Sequence, residues 1–244
     1  MIQGVYSIAN SKLVNTRRME MIANNIANVV TPGFKTMKPL ATLRKISDTE
    51  DTEAMLQQTH VEIEESYNDY SNGSLAETGS SLDLAIRGEG FFVVSSPNGT
   101  RFTRNGKLLL NKENNLVTSD GYPVQGTGGN ITIKGDQGND IKIEKDGSIF
   151  VDKEFIDKIR IVDFEDKTVL KNEGKSLLLA DENESAEASA DKFSVMQGHL
   201  EMSNVNVMSE MVDMISVLRA YEACIKVEQQ FSELNSKLIN MGRY

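Results

Sequence analysis

Residues 205–241 have the sequence VNVMSEMVDMISVLRAYEACIKVEQQFSELNSKLINM, and this stretch decides the fold. It contains no proline and no glycine before Gly242, so it predicts one uninterrupted helix. At ~1.5 Å per residue such a helix runs to roughly 55 Å, whereas a small domain is only ~30 Å across. An apolar helix face that extends beyond its own domain must be covered by the other end of the chain or by another copy of the molecule.

The apolar residues of this helix change phase along its length. In the first part they have coiled-coil spacing, and they are Met208, Met211, Ile215, Leu218 and Ile225. After a phase shift between residues 222 and 229 they continue as Phe231, Leu234, Leu238 and Met241. We predict that the first set packs on a helix of the same chain and that the second set packs on the next subunit of an assembly.

The N-terminal residues 4–28 predict the partner helix. Its apolar stripe is interrupted by polar residues and consists of Val5, Ile8, Met19, Ile22 and Ile26. The stripe ends at Thr31-Pro32-Gly33, where proline restricts the preceding residue and glycine permits a turn. This helix would cover roughly 35 Å, so roughly 20 Å of the C-terminal stripe would remain for neighbouring subunits. Heterologous contacts of that kind generate an open helical array.

Between the two helices, the sequence has the pattern of short strands. Leu82, Leu84 and Ile86 alternate with other residues, and Asn-Gly and Asp-Gly pairs farther along predict tight turns. The predicted fold is mixed α and mainly β, with discontinuous N- and C-terminal helices that pair as a coiled coil around a central antiparallel β domain. The predicted parts are an N-terminal helix in 1–35, a linker or extended segment in 36–79, the β domain in 80–198 and the long helix in 199–244.

Composition and charge exclude several classes of function. The formal net charge is −10 and the pI is about 4.8, which disfavours binding to nucleic acid or to an acidic membrane surface. Cys224 is the one cysteine, so no disulfide within the chain and no paired-cysteine metal site is possible. The first residues, MIQGVY, lack the charged and apolar regions of a cleavable signal peptide.

No pattern of catalytic or cofactor-binding residues stands out. The stretch Arg87-Gly88-Glu89-Gly90 lacks the lysine of a phosphate-binding loop and the third glycine of a dinucleotide fingerprint. His60 and His199 are far apart and have no metal-ligand spacing. We therefore predict no enzyme activity, no cofactor, no metal and no small-molecule substrate. Two other classes stay open: a secreted β domain that binds a ligand and oligomerises through its helices, and, ranked last, a hydrolase with scattered carboxylates.

Four blocks of sequence, in order along nearly the whole chain, resemble the bacterial flagellar rod, hook and hook-associated protein family. They are ANNIAN at 23–28 with TPGFK at 31–35; LAIRGEGFFV at 84–93; FTRNG at 102–106 with LVT at 116–118 and GYPV at 121–124; and QGHLE at 197–201 with SNV at 203–205 and RAYE at 219–222. The chain is too short for a typical hook protein, so the resemblance favours a basal-body rod protein. The proximal-rod member is the first expectation and the distal-rod member is the alternative.

The resemblance implies a structural subunit of an axial tube. The paired terminal helices would line the tube, and the β domain would lie outside them. Export without a cleaved signal peptide would proceed through the flagellar type III apparatus, and the subunit would reside in the periplasm-spanning rod of the basal body. The implied partners are other copies of the chain, neighbouring rod proteins, a ring protein around the rod and the export apparatus.

The terminal segments supply the candidate interface. Short amide side chains near the end of the N-terminal helix would either hydrogen-bond across subunits or simply mark the end of the helix. The residues predicted to contact neighbouring subunits are Asn24, Asn25, Ile26, Asn28, Met208, Met211, Ile215, Leu218, Ile225, Phe231, Leu234 and Leu238.

Overall fold

The computed structural model describes residues 2–45, 59–133, 140–174, 176–180, 187–189 and 193–241. The chain forms two compact units. The first, which we call the helical unit, comprises Met1–Ala27, Met37–Tyr67 and Asn206–Tyr244. The second, the β unit, comprises Asn28–Thr36 and Asn68–Val205. Each unit is therefore assembled from segments that are distant in the sequence.

Two helices and two strands make up the helical unit. Helix α1 spans Ile2–Ala27 and helix α2 spans Val207–Met241, while strands β1 (Met37–Lys45) and β2 (Thr59–Asn68) pair with each other. With 26 and 35 residues the helices are about 39 and 52 Å long at the standard rise. The long unbroken C-terminal helix predicted from the sequence is confirmed.

Helices α1 and α2 lie side by side and run antiparallel. The ammonium group of Lys12 in α1 is 2.8 Å from the Glu228 carboxylate in α2. Near the other end of the pair, the Asn25 amide donates a hydrogen bond of 3.2 Å to Glu210. Helix α2 begins after Asn206, whose side chain accepts a hydrogen bond from the Ser209 backbone at 3.2 Å and so caps the helix.

The β unit consists of short antiparallel strands. Its strands are β3 (Leu75–Glu77), β4 (Leu84–Gly88), β5 (Phe91–Ser96), β6 (Gly99–Thr103), β7 (Leu108–Leu110), β8 (Leu116–Thr118), β9 (Gln125–Gly126), β10 (Gly129–Asn130), β11 (Ile141–Ile143), β12 (Ser148–Val151), β13 (Glu154–Lys158), β14 (Ile161–Phe164), β15 (Leu170–Gly174), β16 (Leu177–Ala180), β17 (Glu187–Ser189), β18 (Phe193–Gln197) and β19 (His199–Glu201). The largest sheet has the order β15-β16-β6-β5-β14-β17, and a smaller one has the order β11-β12-β13. Strands β4 and β3 pair with β18 and β19, respectively. The antiparallel β-rich middle of the prediction is confirmed.

Strand β5 separates two apolar cores because its side chains alternate between two faces. Phe92 and Val94 point into the larger core, and Phe91 and Val93 point into the smaller one. All four side chains are buried. The continuous apolar run at these positions therefore marks a strand that is covered on both faces.

Two predicted segments contain more structure than the sequence suggested. The stretch 36–79, predicted as a linker or extended segment, contains β1, β2 and β3. The acidic stretch 181–191, which shows no strand pattern in the sequence, contributes β17, which pairs with β14. Its residues 181–186, 190 and 191 lie outside the described part of the chain.

Candidate functional site

The buried face of α2 follows one regular pattern along almost the whole helix. Its positions are alternately three and four residues apart, and they are Glu210, Met214, Val217, Tyr221, Cys224, Glu228, Phe231 and Asn235. All are at least half-buried except Glu228, whose carboxylate bonds to Lys12 across the helix pair. We call this face the seam. It includes polar residues, since Glu210 and Glu228 find partners on α1.

The structure corrects the predicted seam. Met208, Met211, Ile215 and Leu218 were expected to pack on the N-terminal helix, but they are 42–74% exposed. Phe231 was expected to face another subunit, yet it is half-buried and its ring lies 3.3 Å from where a Cβ on Gly4 would be. The physical reason is the position of the seam, which begins at Glu210, two residues after Met208. Because each residue of a helix is rotated by ~100° from the one before, the predicted residues point away from α1.

Asn25 belongs to the fold of its own subunit. It is 2% exposed, and its side-chain oxygen accepts a hydrogen bond of 2.9 Å from the Met37 backbone. Its amide nitrogen donates to the Met37 carbonyl at 2.9 Å as well as to Glu210. The amide therefore joins both helices to the start of β1.

The other predicted interface residues of α1 and of its C-terminal turn are in different settings. Asn24 is exposed and Ile26 is half-buried. The Asn28 carbonyl accepts from the Thr31 backbone at 3.1 Å, and its side chain accepts from the Thr31 hydroxyl at the same distance. Asn28 therefore builds the turn that follows the helix.

Two groups of apolar side chains on α2 remain exposed. The N-terminal patch consists of Met208, Met211, Val212, Ile215 and Leu218, and the C-terminal patch consists of Val227, Leu234, Leu238 and Met241. Ile225 is half-buried between the seam and the N-terminal patch. Contiguous exposed apolar surface of this kind marks an interaction site. The two patches are thus the candidate assembly surface of the helical unit.

The β unit contains a buried charge cluster, which we call the anchor. The Glu201 carboxylate accepts a hydrogen bond of 2.7 Å from the Lys35 ammonium and lies 3.3 Å from the Arg104 guanidinium. It also accepts from the Gly73 backbone at 3.0 Å, while Lys35 donates to the Ser71 carbonyl at 2.8 Å. The three charged side chains are at most 5% exposed. Further hydrogen bonds satisfy the Lys35–Glu201 pair, as a buried ion pair requires.

Arg104 extends the anchor to the strands around it. Its guanidinium donates to the carbonyls of Ile86 and Gly88 at 3.1 and 2.8 Å. The same group lies 5.3 Å from the centre of the Phe91 ring, a cation–π contact. The guanidinium thus joins the segment after β6 to the end of β4.

A second contact in the anchor joins Thr36 to Asn204. The Asn204 side-chain oxygen accepts hydrogen bonds from both the backbone nitrogen and the hydroxyl of Thr36, each at 2.8 Å. Its amide nitrogen donates to the Asp69 carbonyl at 2.8 Å. The segment that follows α1 is therefore fixed to the segment that precedes α2.

Gly33 allows the chain to pass closely over the anchor. Its φ is +70°, and a Cβ at this position would lie 2.4 Å from the backbone of Arg104 and Asn105. Its backbone nitrogen donates a hydrogen bond of 2.7 Å to the Glu201 carbonyl. A side chain at this position would both strain the backbone and separate the two segments.

Burial decides the electrostatics of the anchor. Desolvation lowers the pKa of Lys35 below its ordinary value of 10.5, although the Glu201 carboxylate opposes that shift. Desolvation lowers the pKa of Arg104 as well, again against the attraction of Glu201. One carboxylate thus serves two buried cations, and its loss would remove the acid that bonds directly to both.

The anchor brings together residues from all four sequence blocks, and the sequence did not predict it. Lys35, Arg104 and Glu201 are each one charged residue within an otherwise apolar or small motif, separated by up to 166 positions. No spacing rule connects residues so far apart. The three charges lie in three different sequence blocks, and no local pattern in those blocks marks the charged side chain as buried.

The structure also places the remaining residues that the sequence singled out. The described residues contain no group of three or more His, Cys, Asp or Glu side chains arranged to hold a metal ion. Gly88 and Gly90 have positive φ angles and form the turn between β4 and β5. Cys224 is half-buried in the seam. No helix among the residues described is long and apolar enough to cross a membrane.

Three family models match the chain. The model described as flagellar hook protein FlgE/F/G D1 domain matches residues 85–151. The model for the flagellar basal body rod FlgEFG protein C-terminal region matches residues 196–241. The model described as flagella basal body rod protein matches residues 15–35. These ranges contain the central strands, all of α2 and the C-terminal half of α1.

Whole-chain relatives agree with the family models. The flagellar basal-body rod protein FlgF of Rhizobium meliloti is 33% identical over 223 residues, which cover 90% of this chain and 89% of the relative. The FlgF protein of Caulobacter vibrioides is 30% identical and covers 98% of this chain and 97% of its own. The flagellar basal-body rod protein FlgG of Bacillus subtilis is 31% identical, with full coverage of both chains.

Proposed function

The chain belongs to the flagellar basal-body rod protein family, and from this membership we propose that it is a structural subunit of the bacterial flagellar rod. The observation that carries the proposal is the exposed apolar surface on a helix pair built from both ends of the chain. A structural subunit needs such a surface, because assembly must bury area that the isolated chain leaves in water.

The helix pair is the proposed assembling part of the subunit. The alternating spacing of three and four residues along the seam is the spacing of a left-handed coiled coil, and we propose that α1 and α2 supercoil in this way. Contacts with neighbouring subunits are assigned to the N- and C-terminal patches and to the exposed face of α1 at Asn24. Asn25 and Phe231, in contrast, hold the pair together from within.

The proposed division of labour follows the expected domains. Residues 1–35 and 199–244 supply the assembling helices α1 and α2 with the segments that join them to the β unit, and residues 80–198 supply most of the β unit. Residues 36–79 supply β1 and β2 to the helical unit and β3 to the β unit. The anchor then fixes the segment that follows α1 to the segment that precedes α2, because hydrogen bonds join Lys35 to Glu201 and Thr36 to Asn204.

We assign the subunit to the FlgF type, and with it to the proximal rod that the sequence favoured. The alignment with the Rhizobium meliloti FlgF protein spans 223 positions for 90% of this chain, which leaves little room for gaps. The alignment with the Bacillus subtilis FlgG protein spans 269 positions against the 244 residues of this chain, so it needs 25 more positions than the chain has. The distal rod is the alternative, since FlgG proteins also match over most of their length.

The location and partners of the subunit follow from this assignment. We propose that it is exported through the flagellar type III apparatus without a cleaved signal peptide. In the periplasm-spanning rod it would contact other copies of itself, neighbouring rod proteins and a ring protein around the rod.

Gene deletion with complementation tests the proposed function. Cells without the gene should lose motility and filaments, and the unmodified gene should restore both. A motile deletion strain that has no paralogue of the gene would contradict the proposal. Mass spectrometry of isolated basal bodies should detect the chain, and proximity labelling from its β unit should report the rod proteins and the ring protein around it.

A further inference from the structure

A groove on the β unit combines apolar and positively charged side chains. It has a volume of about 660 Å³, within the ~300–1,000 Å³ that is usual for ligand-binding pockets. Its walls come from the end of β4, the turn after β11, strand β18 and the start of β19. We call it the cationic groove and define it by Arg87, Lys145, Phe193, Met196 and His199, all of which belong to the β unit.

Hydrogen bonds hold the walls of the cationic groove in place. The backbone nitrogen of Val195 in β18 donates a hydrogen bond of 2.8 Å to the Lys145 carbonyl. The Gln197 side chain accepts one of 3.1 Å from the Ile143 backbone and donates one of 2.7 Å to the Ile141 carbonyl. On its other edge β18 pairs with β4. The groove is therefore preformed, which lowers the free-energy cost of binding.

The cationic groove is positively charged although the chain as a whole has a net charge of −10. Arg87 and Lys145 are exposed, and neither side chain forms an ion pair within the residues that the structure describes. The carboxylates of Glu144 and Asp146, the neighbours of Lys145 in the sequence, lie 3.8 and 3.4 Å from the ammonium groups of other lysines. The Glu89 carboxylate likewise lies 3.7 Å from a third lysine. The charges of Arg87 and Lys145 are thus available to a ligand.

The hydrogen-bonding groups of the groove favour a carboxylate ligand. Arginine and lysine side chains only donate, and a guanidinium can give two parallel hydrogen bonds to one carboxylate. A sugar needs acceptors too, because its hydroxyl groups donate. The Gln197 amide already bonds to backbone groups, and none of the described residues that line the groove is acidic. His199 offers one ring nitrogen, since its Nδ1 lies 2.9 Å from the Gln197 carbonyl.

The apolar part of the groove favours a peptide over a small anion. Phe193 and Met196 are half-buried, so each still presents apolar surface, and methionine adapts readily to the shape of a partner. All five residues of β18 line the groove, over about 16 Å at ~3.3 Å per residue. A segment of about five extended residues matches this length. Clusters of basic side chains are a recurring means of recognising acidic peptide motifs.

We propose that the cationic groove binds an acidic peptide segment of another protein. Carboxylates of the segment bond to Arg87 and Lys145, and an apolar side chain of the segment packs on Phe193 and Met196. The partner is identified by charge complementarity, since the groove is positive on an otherwise acidic chain. This contact belongs to the β unit alone, so it goes beyond the proposed rod function and does not depend on the packing of the helices.

Selection from a random peptide library displayed on phage tests the proposal, with the full-length chain as the target. The selected peptides should be rich in aspartate and glutamate and contain apolar residues. Fluorescence anisotropy then measures the affinity of one labelled selected peptide. The chain with Arg87→Glu and Lys145→Glu should bind it at least about tenfold more weakly, because two attractions become repulsions. The control with Lys107→Glu and Lys112→Glu should bind like the unmodified chain, since it changes the net charge equally at two exposed lysines outside the groove.

Four results would overturn the proposal. They are selected peptides without an excess of acids, no peptide whose binding depends on Arg87 and Lys145, equal affinity for the unmodified and charge-reversed chains, and an equal loss in the control. Displacement of the peptide by polygalacturonate at the same carboxylate concentration would contradict it as well, because the groove would then recognise an acidic polysaccharide. Circular dichroism checks that the variants are folded. Arg87→Gln with Lys145→Gln replaces the charge-reversed chain if that chain does not fold.

Discussion

Removing the charge of Lys35 should destabilise the β unit substantially. In Lys35→Met the chain keeps a side chain of similar length, but Glu201 loses its 2.7 Å partner and the Ser71 carbonyl loses a donor. Breaking one partner of a buried ion pair costs about 3–5 kcal/mol. The Arg104 guanidinium and the Gly73 backbone nitrogen still face the carboxylate, so we expect the lower end, about 3 kcal/mol.

The complementary change should cost more. Glu201→Gln removes the counter-charge of two buried cations, Lys35 and Arg104, so we expect the upper end of the range, about 5 kcal/mol. For a chain of this size, each kcal/mol shifts the midpoint of thermal unfolding by about 2–4 °C. Lys35→Met should therefore lower the midpoint by about 6–12 °C, and Glu201→Gln should lower it further.

Circular dichroism of the purified full-length chain measures both shifts, in thermal and in urea unfolding. Lys12→Met is the control, because it removes an ion pair of the helix pair whose side chains are 29% and 53% exposed, far more than those of the anchor. A Lys35→Met midpoint as high as that of Lys12→Met would refute the reasoning. A smaller decrease in the midpoint for Glu201→Gln than for Lys35→Met would refute it too, since Glu201 serves two cations and Lys35 serves one acid.

Three further expectations follow from the same structure. Gly33→Ala should lower the unfolding midpoint much more than Gly79→Ala, because both glycines have a φ near +70° but only Gly33 has backbone within 2.4 Å of an added Cβ; equal losses in differential scanning calorimetry would show that the close approach is unimportant. The difference in free energy of unfolding between the unmodified chain and Lys35→Met should widen as pH rises toward 10.5, because the lowered pKa of Lys35 means that the unfolded chain holds this proton more tightly than the folded one. Urea titrations at several alkaline pH values measure this difference. A constant or narrowing difference would show that the pKa of Lys35 is not lowered. Val217→Ala should cost about 2 kcal/mol because Val217 is buried in the seam, whereas Ile215→Ser should leave the stability of the isolated chain nearly unchanged and abolish motility; loss of stability in both would place Ile215 in the fold of the subunit.

The sequence was sufficient to predict the two helices and the antiparallel middle of the chain, because local patterns determine them, but not the strands in 36–79. Thirty-five consecutive residues without glycine or proline formed one helix, and the alternation at Leu84 and Ile86 marked a strand. The apolar run at 91–94 became a strand between two cores. Each of these features depends on neighbours along the chain, which is the information that a periodicity contains.

The sequence could not predict which face of α2 its own partner covers. An apolar period identifies every face that avoids water, whether the partner is α1 or another molecule. Glu210, Glu228 and Asn235 interrupt the apolar pattern of the seam, so the pattern did not identify it. The apolar spacing of Met208 and Ile215 predicted a seam on a face that is exposed. Glu210 and Glu228 are stable in the seam because they accept hydrogen bonds from Asn25 and Lys12 of α1. No local sequence pattern indicates partners so far away along the chain.

The anchor also has a consequence for the order in which the chain folds. Lys35 and Glu201 are separated by 166 positions, and Thr36 and Asn204 by 168, so these bonds close a very long loop. Closing such a loop early is entropically unfavourable, and contacts between distant segments make folding slow. As the chain emerges from its N-terminus, Lys35 can meet Glu201 only after 166 of the 244 residues have followed it. Helix α1 and the turn after it therefore stay without these partners until the last part of the chain is available. The two ends of the chain can join only then.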